Sequence, residues 1–477
     1  MLSLKSNLDR KVYVVFQFDT EDFITPEADD IILRLIDILE QFGVKGSFCI
    51  VAEKLRSLER RGRFDVIDAL KRHDIAYQSN LHSVHPVISE YLKDKLWDEG
   101  VEEVKRKEGP GLEHLKKVFG VVPSAFIQPG GSWAPETPYA LREMGVPIYA
   151  DGIFESDPVW FCGSLCLRAA MYFPEHSSLS DLENLKLKFE SIYGSKAEGG
   201  LIVVVMHPCM FVTEKFWDAV NFSLGRNPPK DGLMPAPLRD EAKVRESLET
   251  FSRFLSFILE HSHVKVITFR EVGKLFREPG ERGLRPDQIL ALAQQMSERN
   301  DWCIIDGISI SPAEALRLLT DVAVNSIQEN FSVETTPIYF TLGPIDNPAE
   351  TLNLKARSGK ISVKDALELL RFSKNFMDRR SRVPPMAVKG DVKYGPGALL
   401  EMAAKIVFHY LEYGREPKYV ELNGLPNLPE VVRRWNLTKR VNDQWRWIIF
   451  PEGFNSKIIE DLTLLQSWTI RPAIFVG

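Results

Sequence analysis

From Lys11 to about Arg277, short apolar runs alternate with amphipathic helical stretches, and no other property of this chain restricts its fold as tightly. The runs are residues 12–18, 44–51, 74–79, 124–129, 147–151, 201–207 and 264–269. Between the first two, Ile31, Ile32, Leu35, Ile36 and Leu39 recur at helical spacing. Strands apolar on both faces and separated by helices imply a parallel sheet, and about seven such units predict closure into a barrel. Polar residues collect where the runs finish: Asp19, Glu21 and Asp22 after the first, Gln78 to His85 after the third, Gln128 to Trp133 after the fourth, then Asp151 and His207. The C-terminal strand ends of parallel α/β folds are where rigid strands position ligand-binding loops, so these clusters predict one shared site. Three neighbouring carboxylates are costly to desolvate unless a cation, a shared proton or hydrogen bonds compensate.

Composition narrows the classes of function. Of the 477 residues, 44% are hydrophobic and 26% charged, which is ordinary for a globular protein with two or three domains. A formal net charge of -6 supplies no global attraction to nucleic acid or to an anionic membrane. The five cysteines, Cys49, Cys162, Cys166, Cys209 and Cys303, form no CxxC pair, so neither a disulfide framework nor a cysteine zinc site is expected, and a reducing compartment fits. The first residues run into charge before any signal-length apolar core, and no stretch reaches the roughly 20 apolar residues of a membrane span, so the expectation is a cytoplasmic protein. There is no P-loop, no dinucleotide fingerprint after the first strand and no G-x-S-x-G elbow, which leaves phosphoryl transfer, nicotinamide chemistry and serine hydrolysis without a handle.

A break at residues 278–283 ends the alternation and divides a first domain, 1–277, from a helix-rich α+β region, 284–425. That region carries a weak internal repeat. Ser311-Pro312-Ala313-Glu314-Ala315-Leu316-Arg317-Leu318-Leu319 matches Ser362-Val363-Lys364-Asp365-Ala366-Leu367-Glu368-Leu369-Leu370, with a looser copy at 397–404. Each helix is followed by a proline-led extended piece, at 337–343, 384–390 and 417–424, and such units stack to share a core. The remainder, 426–477, is an extension containing Trp435, Trp445, Trp447 and Trp468, with no role read from its sequence.

The order of the strand-end clusters resembles the polysaccharide deacetylase family with the NodB-homology domain, over about residues 10–275. The resemblance implies a distorted (β/α)7 barrel that hydrolyses an N-acetyl group from an amino sugar with a divalent metal, Zn²⁺ or another first-row ion. Asp19-Thr20-Glu21-Asp22 looks like the family's first motif, which implies Asp19 as general base and Asp22 as metal ligand, with Glu21 able to exchange roles with Asp22. The second motif normally begins with a histidine ligand, but here Gln78 stands in its place, followed by His82 and then His85 as the remaining imidazoles. The third motif usually presents an orienting arginine; this chain has Ile127, leaving Gln128 to orient, the Pro-Gly-Gly turn to approach substrate, and Ser132 and Trp133 to offer a hydroxyl and a sugar-stacking face. His207 matches the late histidine that acts as general acid, and Asp151 would tune it or contact substrate. The repeats are faintly similar to pseudomurein-binding repeats. The implied activity is metal-assisted hydrolysis of a non-peptide C–N bond in an N-acetylated sugar or small amide. The alternatives are an allantoinase-type amidohydrolase with an altered metal site, or a catalytically degraded glycan-binding protein. The implied partner is a carbohydrate or small amide, without nucleic acid or membrane, and a homo-oligomer is left open.

Overall fold

The structure, a computed structural model, describes residues 11–154, 157–196, 199–277, 283–325, 336–337, 343 and 348–477. The seven predicted runs all form strands of one sheet. In chain order the strands of the first half are β1 (Val12–Thr20), β2 (Ser47–Ile50), β3 (Asp74–Tyr77), β4 (Phe126–Ile127), β5 (Ile148–Ala150), β6 (Val159–Phe161), β7 (Ser164–Leu167), β8 (Met171–Tyr172), β9 (Gly200–Met206) and β10 (Val264–Ile267). β1 is central. It pairs in parallel with β9 along Val12 to Phe18, while its other edge is shared end to end by β10, at Val12 to Val15, and β2, at Gln17 to Thr20.

From β2 the parallel ladder continues through β3, β4 and β5 to β7. The short strands β6, β7 and β8 were not foreseen, and they complete the curl. β7 pairs with β5, and after three residues the same stretch pairs with β9 as β8, so chain 164–172 spans the gap between the two ends of the sheet. The result is a curled parallel sheet of the distorted (β/α) barrel class, as the alternation predicts.

Period-two alternation divides the side chains. Val14, Phe16 and Phe18 face outward to the covering helices, whose first member, Glu27–Gln41, buries Ile31, Ile32, Leu35, Ile36 and Leu39 against them. Val15, Cys49, Ala76, Ile127, Ala150, Leu167, Val203 and Val205 make a separate cluster inside the curl. Small and β-branched residues dominate that cluster because little room remains between facing strands.

The described residues of 283–425 pack around a second core, which Trp468 of the C-terminal segment also enters. The repeat is a β-hairpin leading into a helix: Cys303–Ile305 and Ile308–Ile310 precede helix Pro312–Asn325, and Ala387–Lys389 and Val392–Tyr394 precede helix Pro396–Tyr413. Asp306 and Gly307, at φ 48° and 74°, make the tight turn that a two-residue hairpin requires. In the remaining copy, Ser358–Ser362 runs straight into helix Val363–Arg380 and pairs with Tyr419–Asn423. The break at 278–282 and most of the extended piece 337–343 lie outside the described residues.

Segment 426–477 returns to the barrel. Trp445, Ile449, Phe450, Ile459, Leu462 and Ile470 belong to the barrel's outer core, and Arg471–Pro472 adds an antiparallel strand beside β6. Among the described residues no helix is long and apolar enough to cross a membrane.

Candidate active site

The pleat of β1 that aims Val15 into the curl also aims Gln17 and Asp19 there, one and two steps nearer the strand's C-terminal end. β9 does the same with Val203, Val205 and, just past its end, His207. These side chains meet in a cleft of about 610 Å³ whose lining includes Asp19, Glu21, Gln78, His82, Gln128, Asp151 and His207.

Gln17 organises the acidic side. Its Nε2 donates to Asp19 Oδ1 at 2.9 Å and to Asp151 Oδ2 at 2.8 Å, so one amide bridges two buried carboxylates. Burial pushes Asp19 up to about 7; the nearby His207 charge opposes this, and Asp151 and Glu21 add to it. Asp151 is raised by burial as well. His207 Nε2 lies 3.8 Å from Asp19 Oδ2, and its Nδ1 is held 3.0 Å from Glu175 Oε1. Burial disfavours the charged ring, but Glu175 outweighs it through a hydrogen bond and its charge, and His207 is pushed up to about 10. The edge of Phe216 fixes the imidazole plane, with centroids 5.0 Å apart.

Glu21 anchors the other wall. Its Oε2 is 2.9 Å from His82 Nε2 and accepts from Gln78 Nε2 at 3.0 Å, while Oε1 accepts from Trp217 Nε1 at 3.1 Å. Burial disfavours its charge, but His82 more than compensates, and Glu21 is held below the usual carboxylate range. Beyond His82 the bonds continue: Nδ1 to Ser83 Oγ at 2.7 Å, Ser83 Oγ to Asp218 Oδ2 at 3.4 Å, and Trp447 Nε1 to the same Asp218 oxygen at 3.0 Å.

Asp22 and His85 take other partners. Asp22 has the opposite parity to Asp19 and Glu21, and its Oδ1 accepts from the backbone N–H groups of Ile24 and Thr25, both at 2.9 Å, forming the turn that enters helix Glu27–Gln41. His85 Nδ1 lies 2.7 Å from Glu90 Oε2, and His85 does not line the cleft. Gln128 donates to Gln444 Oε1 at 2.7 Å and accepts from the Tyr149 hydroxyl at 3.0 Å, which places it between barrel and C-terminal segment. Trp133 is fully buried, its Nε1 bonded to Thr463 Oγ1 at 3.0 Å, so it presents no face to the cleft. Ile127, at the arginine position of the third motif, is buried inside the curl.

These placements bear on the implied metal. Of Asp22, His82 and His85, only His82 reaches the cleft, where its Nε2 lies within ion-pair distance of Glu21. Among the described residues no three His, Cys, Asp or Glu side chains are grouped to hold an ion. The residues present do not fit the implied ligand set.

Sequence reasoning did not find Gln17, Glu175 and Trp217, which bond to Asp19, His207 and Glu21, or the tail residues Gln444, Arg446 and Trp447 that line the cleft. A signal existed for Gln17, a lone amide in an apolar strand with the parity of Asp19. None existed for Trp447, which arrives from 180 residues beyond the end of β10. It stands half-exposed at the mouth, its ring centroid 6.0 Å from that of Phe216.

No family model matches this chain, and no curated protein matches it. Solved structures do resemble it. A putative polysaccharide deacetylase from Mycobacterium smegmatis is 16% identical with a TM-score of 0.37, over 57% of this chain and 92% of that one. The Puue allantoinase is 12% identical with a TM-score of 0.38, over 56% and 90%. The α-amylase AmyC from Thermotoga maritima is 10% identical with a TM-score of 0.37, over 94% and 99%.

Proposed function

We propose that this protein hydrolyses the C–N bond of an N-acylated sugar or related small amide. The observation that carries the reading is the juxtaposition of Asp19 and His207, 3.8 Å apart at the C-terminal ends of adjacent parallel strands, with opposite proton demands. Asp19 Oδ2, the oxygen that Gln17 leaves open, accepts a proton from the attacking water as the water oxygen bonds to the acyl carbon. His207, protonated and oriented by Glu175, faces the developing oxyanion with its Nε2–H. It then gives that proton to the nitrogen as the C–N bond breaks, so the amine leaves neutral. The products are a carboxylic acid and an amine, and no step passes through a metal. Trp447 supports a sugar over a smaller amide, because a half-exposed indole beside a cleft offers an apolar face with its polar edge already satisfied. A cytoplasmic setting belongs to the same reading, supported by five buried cysteines that are all free thiols.

One observation favours a second reading, glycan binding without turnover: Ile127 fills the orienting position with a side chain that cannot hold a carboxylate. Release of acid from N-acetylated oligosaccharides, compared between wild type and Asp19→Asn, decides between the two. Turnover that the substitution removes supports hydrolysis. Sugar binding without turnover, unchanged in Asp19→Asn, sinks it.

A further inference from the structure

Two nitrogens from different side chains converge on one carboxylate oxygen in this cleft. His82 Nε2 and Gln78 Nε2 lie 2.9 and 3.0 Å from Glu21 Oε2, and all three residues are buried. Convergence of a carboxylate and two side-chain nitrogens from one loop is the arrangement that a first-row divalent ion requires of its ligands. Here Gln78 fills the ion's place with a hydrogen bond to Glu21, and His82 pairs with the same oxygen as an ion pair. An amide nitrogen has its lone pair delocalised into the carbonyl, so Gln78 Nε2 can donate a hydrogen bond but cannot ligate a cation. The surroundings are fixed as well: Trp217 Nε1 occupies Glu21 Oε1 at 3.1 Å, and Ser83 Oγ lies 2.7 Å from His82 Nδ1, the outer contact that orients a histidine ligand in metal sites.

We propose that Glu21, Gln78 and His82 form a ligand-type convergence held by an ion pair and a hydrogen bond in place of a metal ion, and that the amide at residue 78 keeps it metal-free. The amide's lone-pair atom, Oε1, is not the one facing Glu21, so replacing Gln78 by histidine puts a nitrogen with an available lone pair where Nε2 now lies and completes a carboxylate–imidazole–imidazole set. Glu21, and not Asp22, is the carboxylate of that set, because the strand's parity turns Asp22 away. The inference stands apart from the proposed hydrolysis, since it concerns what the side chains bind and not what they turn over.

The test reads zinc, not activity. Full-length wild type, Gln78→His and Gln78→Cys, stripped with chelator and dialysed, are titrated with Zn²⁺ by calorimetry, and Co²⁺ spectra report the ligand field. Wild type is expected to show no stoichiometric zinc at the cleft. Both variants are expected to bind one equivalent at least about 100-fold more tightly than wild type, and to lose it when His82→Ala is added. The cysteine variant guards against a histidine that fails to fold. One equivalent in wild type, abolished by Glu21→Gln or His82→Ala, overturns the proposal. Folded variants that bind zinc no better than wild type overturn it too.

Discussion

At the scale of single residues, the cleft separates two proton positions by environment. Asp19, lifted to about 7, must be ionised to act as a base, so activity falls as pH drops below about 7. His207, lifted to about 10, must be protonated to act as an acid, so activity falls again as pH rises past about 10. The expected kcat/KM profile is therefore a bell with its plateau between those limits, belonging to the coupled pair and not to either residue alone. Asp19→Asn should lower the plateau by about 10²- to 10⁴-fold while leaving the thermal midpoint near wild type. Glu175→Gln removes the anion that sustains the imidazolium, so the alkaline limb should move toward neutrality with the acid limb little changed. An unmoved alkaline limb would mean that Glu175 serves only packing. Much of this pair was legible in the sequence, because Asp19 and His207 each follow an apolar run by a fixed step. The same parity, applied one residue further, would have set Asp22 against Glu21. It was outweighed by a motif in which aspartate is the usual ligand.

At the scale of elements, the turn after β4 shows why some of the site was not legible. Pro129-Gly130-Gly131 reads in sequence as a backbone approach for substrate, but what approaches is the chain's own C-terminal segment. A Cβ on Gly131 would collide with the Gln444 carbonyl oxygen and meet Trp447 Cβ at 3.1 Å, and one on Gly130 would press Ile449 Cδ1 at 3.0 Å. Gly131 also sits at φ +71°, where a side chain is strained. Gly131→Ala should thus destabilise the protein by about 1–3 kcal/mol, read as a lower urea midpoint at unchanged slope. It should also raise KM more than it lowers kcat, because it displaces Gln444 and Trp447 and not the Asp19–His207 pair. A drop confined to kcat would contradict this. The repeat helices, by contrast, were legible because their Ala and Leu spacing is local. Ala313, Leu316, Ala366, Leu370, Leu399 and Ala403 all face the shared core. The hairpins that precede two of them were missed, since three-residue strands carry too little alternation to register.

At the scale of the whole molecule, the barrel's outer core is completed by segment 426–477. Trp445, Ile449, Phe450, Ile459, Leu462 and Ile470 are all buried in the barrel's outer core. Each such side chain is worth about 1.5–3 kcal/mol when removed from water. Together they contribute on the order of 10 kcal/mol, the size of an entire domain's net stability of about 5–15 kcal/mol. Arg471 ties this return to the repeat region, its Nε 3.1 Å from Glu314 Oε2 in a buried ion pair, while the strand it belongs to extends the barrel sheet beside β6. Nothing in local periodicity announces such a return, because the pairing joins residues three hundred positions apart and depends on a surface that exists only once the barrel has formed. A chain ending at residue 425 keeps β1 to β10 and both proton-handling residues, yet it should lack a cooperative thermal transition and expose apolar surface to a hydrophobic dye. Adding segment 426–477 as a separate polypeptide should restore part of the transition, since β6 and the Gly130-Gly131 turn that it packs on belong to the shortened chain. If the shortened chain instead melts cooperatively near the full-length midpoint, the C-terminal segment is a cover over a self-sufficient barrel, and its contacts at Gln128 and Asp218 concern the cleft alone.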